Sequence, residues 1–344
     1  MYLSKQKSIL NQVTSLGISL VAGLLYFAIL STFKHLESGF YNFLLGLGAL
    51  LCLGLYSLFT TKLRTREKYV TKEFPEKWRT ILKKYVVFYN ALDEGDKKRF
   101  ETNIQIFLHE TRVTGIKTEV DDVTLVLTAA SAQIPIFSFP DWEYDNLGEV
   151  LIYPRAFDKN LRLEGEDRKI TGMVGTGSMQ GLMILSKPAL IGGFENSRDK
   201  KNVGIHEFVH LLDGADGAFD GIPELFMKKK SIAPWLEIIE KQTEKIHNKT
   251  SKMNPYAATN HAEFFTVASE YFFESPQVLK KNKPELYEIL SEIYQQDPSK
   301  NKFKSVIQSM LNYNGKRISR NASCPCGSGK KYKRCCLKNA RIYA

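Results

Sequence analysis

The sequence predicts an α+β protein: a mainly helical core behind a two-helix transmembrane hairpin, with a small cysteine-bearing module at the C-terminal end. Three observations predict it. Residues 13–33 and 40–60 are uncharged, largely apolar stretches of 21 residues each, long enough as helices to cross a hydrocarbon layer of about 30 Å. From Pro75 onward apolar residues recur at helical spacing, interrupted by a β-rich stretch around residues 148–191. Four of the five cysteines lie between residues 324 and 336.

The hairpin comes first. Only Lys34 to Gly39 separates the two stretches, so the helices must run antiparallel. A cleavable signal peptide does not fit, because the first apolar run is too long and the second follows at once. Lys5 and Lys7 precede the first span, Lys62, Arg64, Arg66, Lys68 and Lys72 follow the second, and Lys34 is the only cation in the turn. The positive-inside rule then predicts a multi-pass membrane protein with both termini, and all that follows the hairpin, in the cytoplasm. Cys52 is expected to face lipid or the other helix. The expected organisation is a hairpin over 1–61, a charged linker over 62–73, one main domain over 74–313 and a basic tail over 314–344.

In the main domain Pro75 opens a helix that puts Trp78, Ile81, Leu82, Tyr85 and Phe88 on one face. Helices are expected to dominate to about residue 135. The β-rich stretch carries turns at Gly172, Gly175, Gly177, Gly192 and Gly193. An apolar helix follows around residues 203–212, then an acidic turn, a Lys-rich helix with Trp235, a helix from Phe264 through Phe273, and a charged helical segment over 278–313. About 240 residues suffice for one core, and no repeat or phosphate-cradling Gly loop is present.

The most informative motif is His206-Glu207-Phe208-Val209-His210. Residues four apart share a helix face, so both imidazoles can reach one metal ion, with Glu207 beside them to take a proton from water. Such a site needs a third protein ligand. One candidate is local, with Asp213 and Asp216 standing where a compact turn would carry a glycine and a ligand; Gly214 is one residue late for that turn. Asp213, Asp216 and Asp220 read more simply as an acidic turn ending the helix, and Asp213 could also orient a ligand imidazole. The other candidate is Glu263, in the first turn of a helix capped by Thr259 or Asn260, with Tyr256 seven residues earlier. Glu270, one further heptad along, could orient a histidine or serve as a cap. His35, His109, His247 and His261 lack partners at ligand spacing.

Gly204 to Asp213, Asp216-Gly217, Asp220-Gly221-Ile222-Pro223, Tyr256 to Thr259, Ala262 to Phe265 and Ser269 to Phe273 together resemble the Mlc titration factor A (MtfA) peptidases. Phe74-Pro75-Glu76-Lys77-Trp78, Ala129 to Gln133 and Val150 to Pro154 extend the resemblance over about residues 74–300. It implies a zincin-like core of the gluzincin type, related to the anthrax lethal factor catalytic domain. It also implies a zinc peptidase in which His206, His210 and Glu263 hold the catalytic Zn2+, Glu207 is the base that activates water, and Tyr256 donates to the developing oxyanion. The peptide substrate is expected to add as a strand along Gly181 to Ser186 if that run lies at a sheet edge; so short an apolar run reads equally as a central core strand. The alternative is a non-catalytic interaction protein, since that family is named for sequestering a transcriptional repressor of glucose uptake.

The tail runs Cys324-Pro325-Cys326, then eight residues, then Cys335-Cys336. Four thiols on a cytoplasm-facing chain read as a closed structural zinc site rather than disulfides. The stretch resembles the SEC-C motif found at the C-terminus of SecA, which predicts a second, structural Zn2+. From Lys316 to Arg341 there are nine Lys or Arg and no Asp or Glu, within a chain of net charge +11. An acidic protein, a ribosome or a secretion-related partner, or anionic lipid is expected there. Tyr332 is the only interleaved aromatic, which speaks against base stacking and sequence-specific DNA binding.

Overall fold

The computed structural model describes residues 5–33, 38–140, 142–164, 168–175, 177–196 and 199–300. The protein is mostly helical with one small sheet. α1 (Lys5–Ser31) and α2 (Ser38–Thr71) pack antiparallel: Gly23 faces Cys52, Gly48 lies under the Tyr26 ring, and the Tyr26 hydroxyl donates to the Leu44 carbonyl at 2.8 Å. Cys52 therefore faces the other helix. By length and composition both helices could cross a membrane, and their outer faces are apolar, with Leu24 and Leu58 well exposed.

The expected linker is not a separate segment. α2 continues as helix to Thr71, because nothing from Leu55 to Glu73 is Gly or Pro and the charged residues there are good helix formers. The extension is bolted to the core. Arg66, only 5% exposed, donates to both carboxylate oxygens of Glu110 at 2.5 Å and to those of Glu143 at 2.6 and 2.8 Å, and Lys62 joins Glu143. Burial works against the Arg66 charge, but the two carboxylates outweigh it and hold the guanidinium well above its usual range.

The core helices are α3 (Glu76–Tyr85), α4 (Val87–Ala91), α5 (Glu94–Glu110), α6 (Asp122–Ile136), α7 (Lys187–Glu195), α8 (Val203–Asp213), α9 (Lys229–His247), α10 (His261–Glu274), α11 (Pro276–Asn282) and α12 (Pro284–Tyr294). Pro75 starts α3 as expected, but Val86 turns extended and breaks the helix, so Phe88 reaches the core from α4. Asp93 and Asp121 cap α5 and α6 by accepting the N–H of Asp96 and of Thr124, each at 2.8 Å.

The strands are β1 (Arg112–Gly115), β2 (Glu149–Tyr153), β3 (Gly172–Val174) and β4 (Leu182–Ser186), in the order β1-β2-β4-β3. β1, β2 and β4 are parallel; β3 runs antiparallel along the edge. β1 falls in the stretch expected to be helical. The strand expected to receive substrate, Gly181 to Ser186, is β4, and it is interior, paired with β2 on one side and β3 on the other. Its buried run Met183, Ile184 and Leu185 is what an interior strand needs. The edges of the sheet, among the described residues, are β1 and β3, and the one beside β4 is β3.

α8 lies between α6, α10 and the sheet. Small residues permit the approach: a Cβ on Gly204 would come within 2.0 Å of Ser131 Oγ on α6, and one on Gly172 of β3 within 2.4 Å of Glu207 Oε1.

Candidate metal centre

Two capped helices build the site. Asn202 caps α8, its side-chain oxygen accepting the Ile205 N–H at 3.1 Å, and so sets the helix phase that turns His206 and His210 the same way. Asn260 caps α10 by accepting the N–H of Glu263 at 2.8 Å. Glu263 thereby sits in the first turn, where the helix dipole favours a carboxylate. The structure brings together one donor atom each of His206, His210 and Glu263, all within 4.8 Å of one another. Glu263 Oε2 is 3.1 Å from His206 Nε2 and 3.6 Å from His210 Nε2.

Asp216 is elsewhere. It is exposed, and its carboxylate accepts the N–H of Ala218 at 3.0 Å and of Glu224 at 3.2 Å. Asp213 does not bond to an imidazole; it is fully buried and accepts the Gly221 N–H at 2.9 Å, holding the following loop to the end of α8. His109, His247 and His261 are exposed and outside the cluster, and His35 lies outside the described residues.

The next layer fixes the donors. His206 Nδ1 bonds to a Glu270 carboxylate oxygen, and the other Glu270 oxygen accepts the Asn202 N–H at 3.2 Å. Holding the Nδ1 proton this way turns Nε2 toward Glu263, where it carries either a proton or, as a lone pair, a metal ion. The Tyr256 hydroxyl donates to Glu263 Oε1 at 3.0 Å, while its ring remains half-exposed. Sequence reasoning missed Thr266, whose Oγ1 is 3.3 Å from His206 Nε2, and Gly172, whose lack of a side chain makes room for Glu207.

The electrostatics suit a cation. Burial opposes charge on His206, but Glu263 and Glu270 outweigh it and push the ring to about 10. Burial likewise opposes charge on Glu263, yet the two histidines hold it far below the usual carboxylate range. Glu207 is shifted upward, chiefly by burial. Burial and Glu263 raise the Tyr256 phenol to about 12. A proton on His206 satisfies the buried Glu263; a divalent ion on the two Nε2 atoms and that carboxylate would do the same. Two imidazoles and a carboxylate are a zinc donor set.

Residues 60–295 match the family described as glucose-regulated metallo-peptidase M90. The chain belongs to the M90 metallopeptidases. It is also similar to proteins named Mlc titration factor A. The one from Serratia proteamaculans is 32% identical over 61% of this chain and 83% of its own length. That from Escherichia coli strain SMS-3-5 is 27% identical over 60% and 82%. An uncharacterized protein of Synechocystis sp. is 31% identical over 68% of this chain and 89% of its own. Residues 320–338 match the SEC-C motif, so family membership suggests zinc in both regions of this M90 chain. Cys324, Cys326, Cys335 and Cys336 lie outside the described residues.

Proposed function

We propose that this M90 chain is a membrane-anchored, zinc-dependent peptidase with a zincin-like core, working on the cytoplasmic side of a bacterial inner membrane. The observation that carries the proposal is the convergence of His206, His210 and Glu263 from two capped helices, with Glu207 buried beside them. These three side chains would hold Zn2+, which when bound polarises a peptide carbonyl and makes water a stronger acid. Glu207 accepts the proton of the attacking water and returns it to the leaving amine. Its upward shift brings it closer to the working pH, where a group can do both. Tyr256 presents its hydroxyl at the rim, 3.0 Å from Glu263, where it can donate to a developing oxyanion. The outer edge of β3, which pairs with no further strand among the described residues, is the place for an added peptide strand, because Gly172 of that strand lies directly against Glu207.

A second Zn2+ on Cys324, Cys326, Cys335 and Cys336 would order the basic tail, which suits an acidic protein or a ribosome. The name of the Mlc titration factor A relatives favours a second reading, in which this chain too sequesters a regulator. Glu207→Gln separates the two. It should abolish the appearance of new protein termini in cells while zinc content stays at two per chain. If cleavage persists in that variant the peptidase mechanism is refuted, and if a partner-dependent phenotype survives it unchanged, sequestration accounts for the function.

A further inference from the structure

Beyond the N-terminal hairpin and its turn, from residue 72 onward, the large apolar side chains that stay exposed among the described residues are Phe219 at 48%, Leu225 at 62%, Tyr256 at 50% and Val278 at 45%. Three of these four lie on the two segments that flank the metal centre. Tyr256 is bonded to Glu263, and Phe219 and Leu225 belong to the segment 214–226 that follows α8. Gly214 comes four residues after His210 and so prolongs the His206–His210 stripe. The Phe219 ring rests on it, with Cζ only 2.4 Å from where a Gly214 Cβ would be.

The segment is held from three sides. Gly221 donates to Asp213 at 2.9 Å, its carbonyl accepts from Trp235 Nε1 at 2.7 Å, and its α-carbon abuts the His261 backbone two residues before Glu263. Phe226 anchors the far end among Phe139 and Trp142. Phe219 and Leu225 are thus displayed by an ordered segment, so covering them costs little further ordering. Asp216, Asp220 and Glu224 lie on the same segment, which has no Lys or Arg. That charge disfavours an anionic membrane surface as the cover and leaves an uncharged or basic peptide.

We propose that Phe219 and Leu225 form a specificity subsite that takes a large apolar side chain of the peptide substrate, next to the scissile bond. This rests on the peptidase reading and adds a substrate class to it. The test uses the full chain in lipid nanodiscs, loaded with zinc, against quenched fluorescent peptide libraries in which each position is varied in turn. The expected result is a kcat/KM preference for Leu or Phe over Gly at one position beside the cut. Phe219→Ser with Leu225→Ser should lower that preference about tenfold, and Phe219→Leu should keep most of it. An absent preference, or one unchanged by the two serines, overturns the subsite while leaving the peptidase reading standing. No Glu207-dependent cleavage of any library member overturns both. Quenching of a Phe219→Trp variant by brominated lipid in proteoliposomes would show the side chain to be covered by membrane and would also overturn the proposal.

Discussion

Replacing Gly172 by Ala should silence the site while leaving the fold and the zinc in place. A Cβ there would lie 2.4 Å from Glu207 Oε1, 2.7 Å from Glu207 Cγ and 2.6 Å from Val203 Cγ2. Ordinary contact begins near 3.4 Å, so the Glu207 carboxylate must retreat by about 1 Å. Turning a side chain off its rotamer costs about 0.5–1.5 kcal/mol, offset in part by the smaller backbone entropy of Ala in the unfolded chain. The melting temperature should therefore change little. A 1 Å misplacement of a reacting group can cost about a hundredfold in rate, or roughly 2.7 kcal/mol in the barrier. The assay is kcat for a cleaved peptide alongside zinc content and thermal unfolding. A Gly172→Ala protein with full kcat would refute the argument that this strand positions Glu207. Loss of zinc and of the folded state together would refute it equally, by making the contact merely architectural.

Three other outcomes follow from the same geometry. Glu263→Ala should lose the catalytic zinc and activity together while Asp216→Ala keeps both, as measured by metal content after dialysis; the reverse pattern would overturn the ligand set. Burial first, then the neighbouring Glu270 and Asp199, raise Glu274 to about 9, so its carboxyl favours folding fully below the ordinary carboxylate range and loses that contribution as pH climbs through 9. Glu274→Gln should flatten the fall in stability across that window in thermal unfolding, and an unaltered profile would refute the assignment. Arg66→Met leaves Glu110 and Glu143 facing each other without their shared cation, and should destabilise the protein by roughly 3 kcal/mol in chemical unfolding; a loss under 1 kcal/mol would count against a structural lock.

What could be read from the chain alone was whatever depends on local spacing. The i, i+4 histidines, the cap at Asn260 and the carboxylate in the following turn are short-range patterns, and α8 and α10 follow from them. What escaped depends on through-space neighbours. Nothing in the run Leu182 to Ser186 tells whether one or two strands flank it, and only the pairing with β2 and β3 makes β4 interior. Gly172 reads as a turn glycine until Glu207 is found against it. Thr266 looks like any buried helix residue, and only the approach of α8 gives its hydroxyl a partner on His206. The charges of residues 62–73 suggested a tether, whereas the absence of Gly and Pro from that stretch was the more telling signal for helix.

In the proposed membrane-anchored, cytoplasm-facing peptidase, that rigid continuation of α2 sets the reach of the catalytic domain. A flexible tether of a dozen residues would let the domain wander by about 20 Å, sampling a deep layer of cytoplasm. An unbroken helix fixed by Arg66 to Glu110 and Glu143 allows no such search. From Thr60 to Thr71 it rises by about 16 Å, so with the hairpin seated in a bilayer the cleft stays at one altitude and travels only sideways. Selection among proteins would then begin with geometry: a polypeptide qualifies by holding an extended segment at that altitude, and one that carries its scissile bond deeper in the cytoplasm must be brought down to meet it.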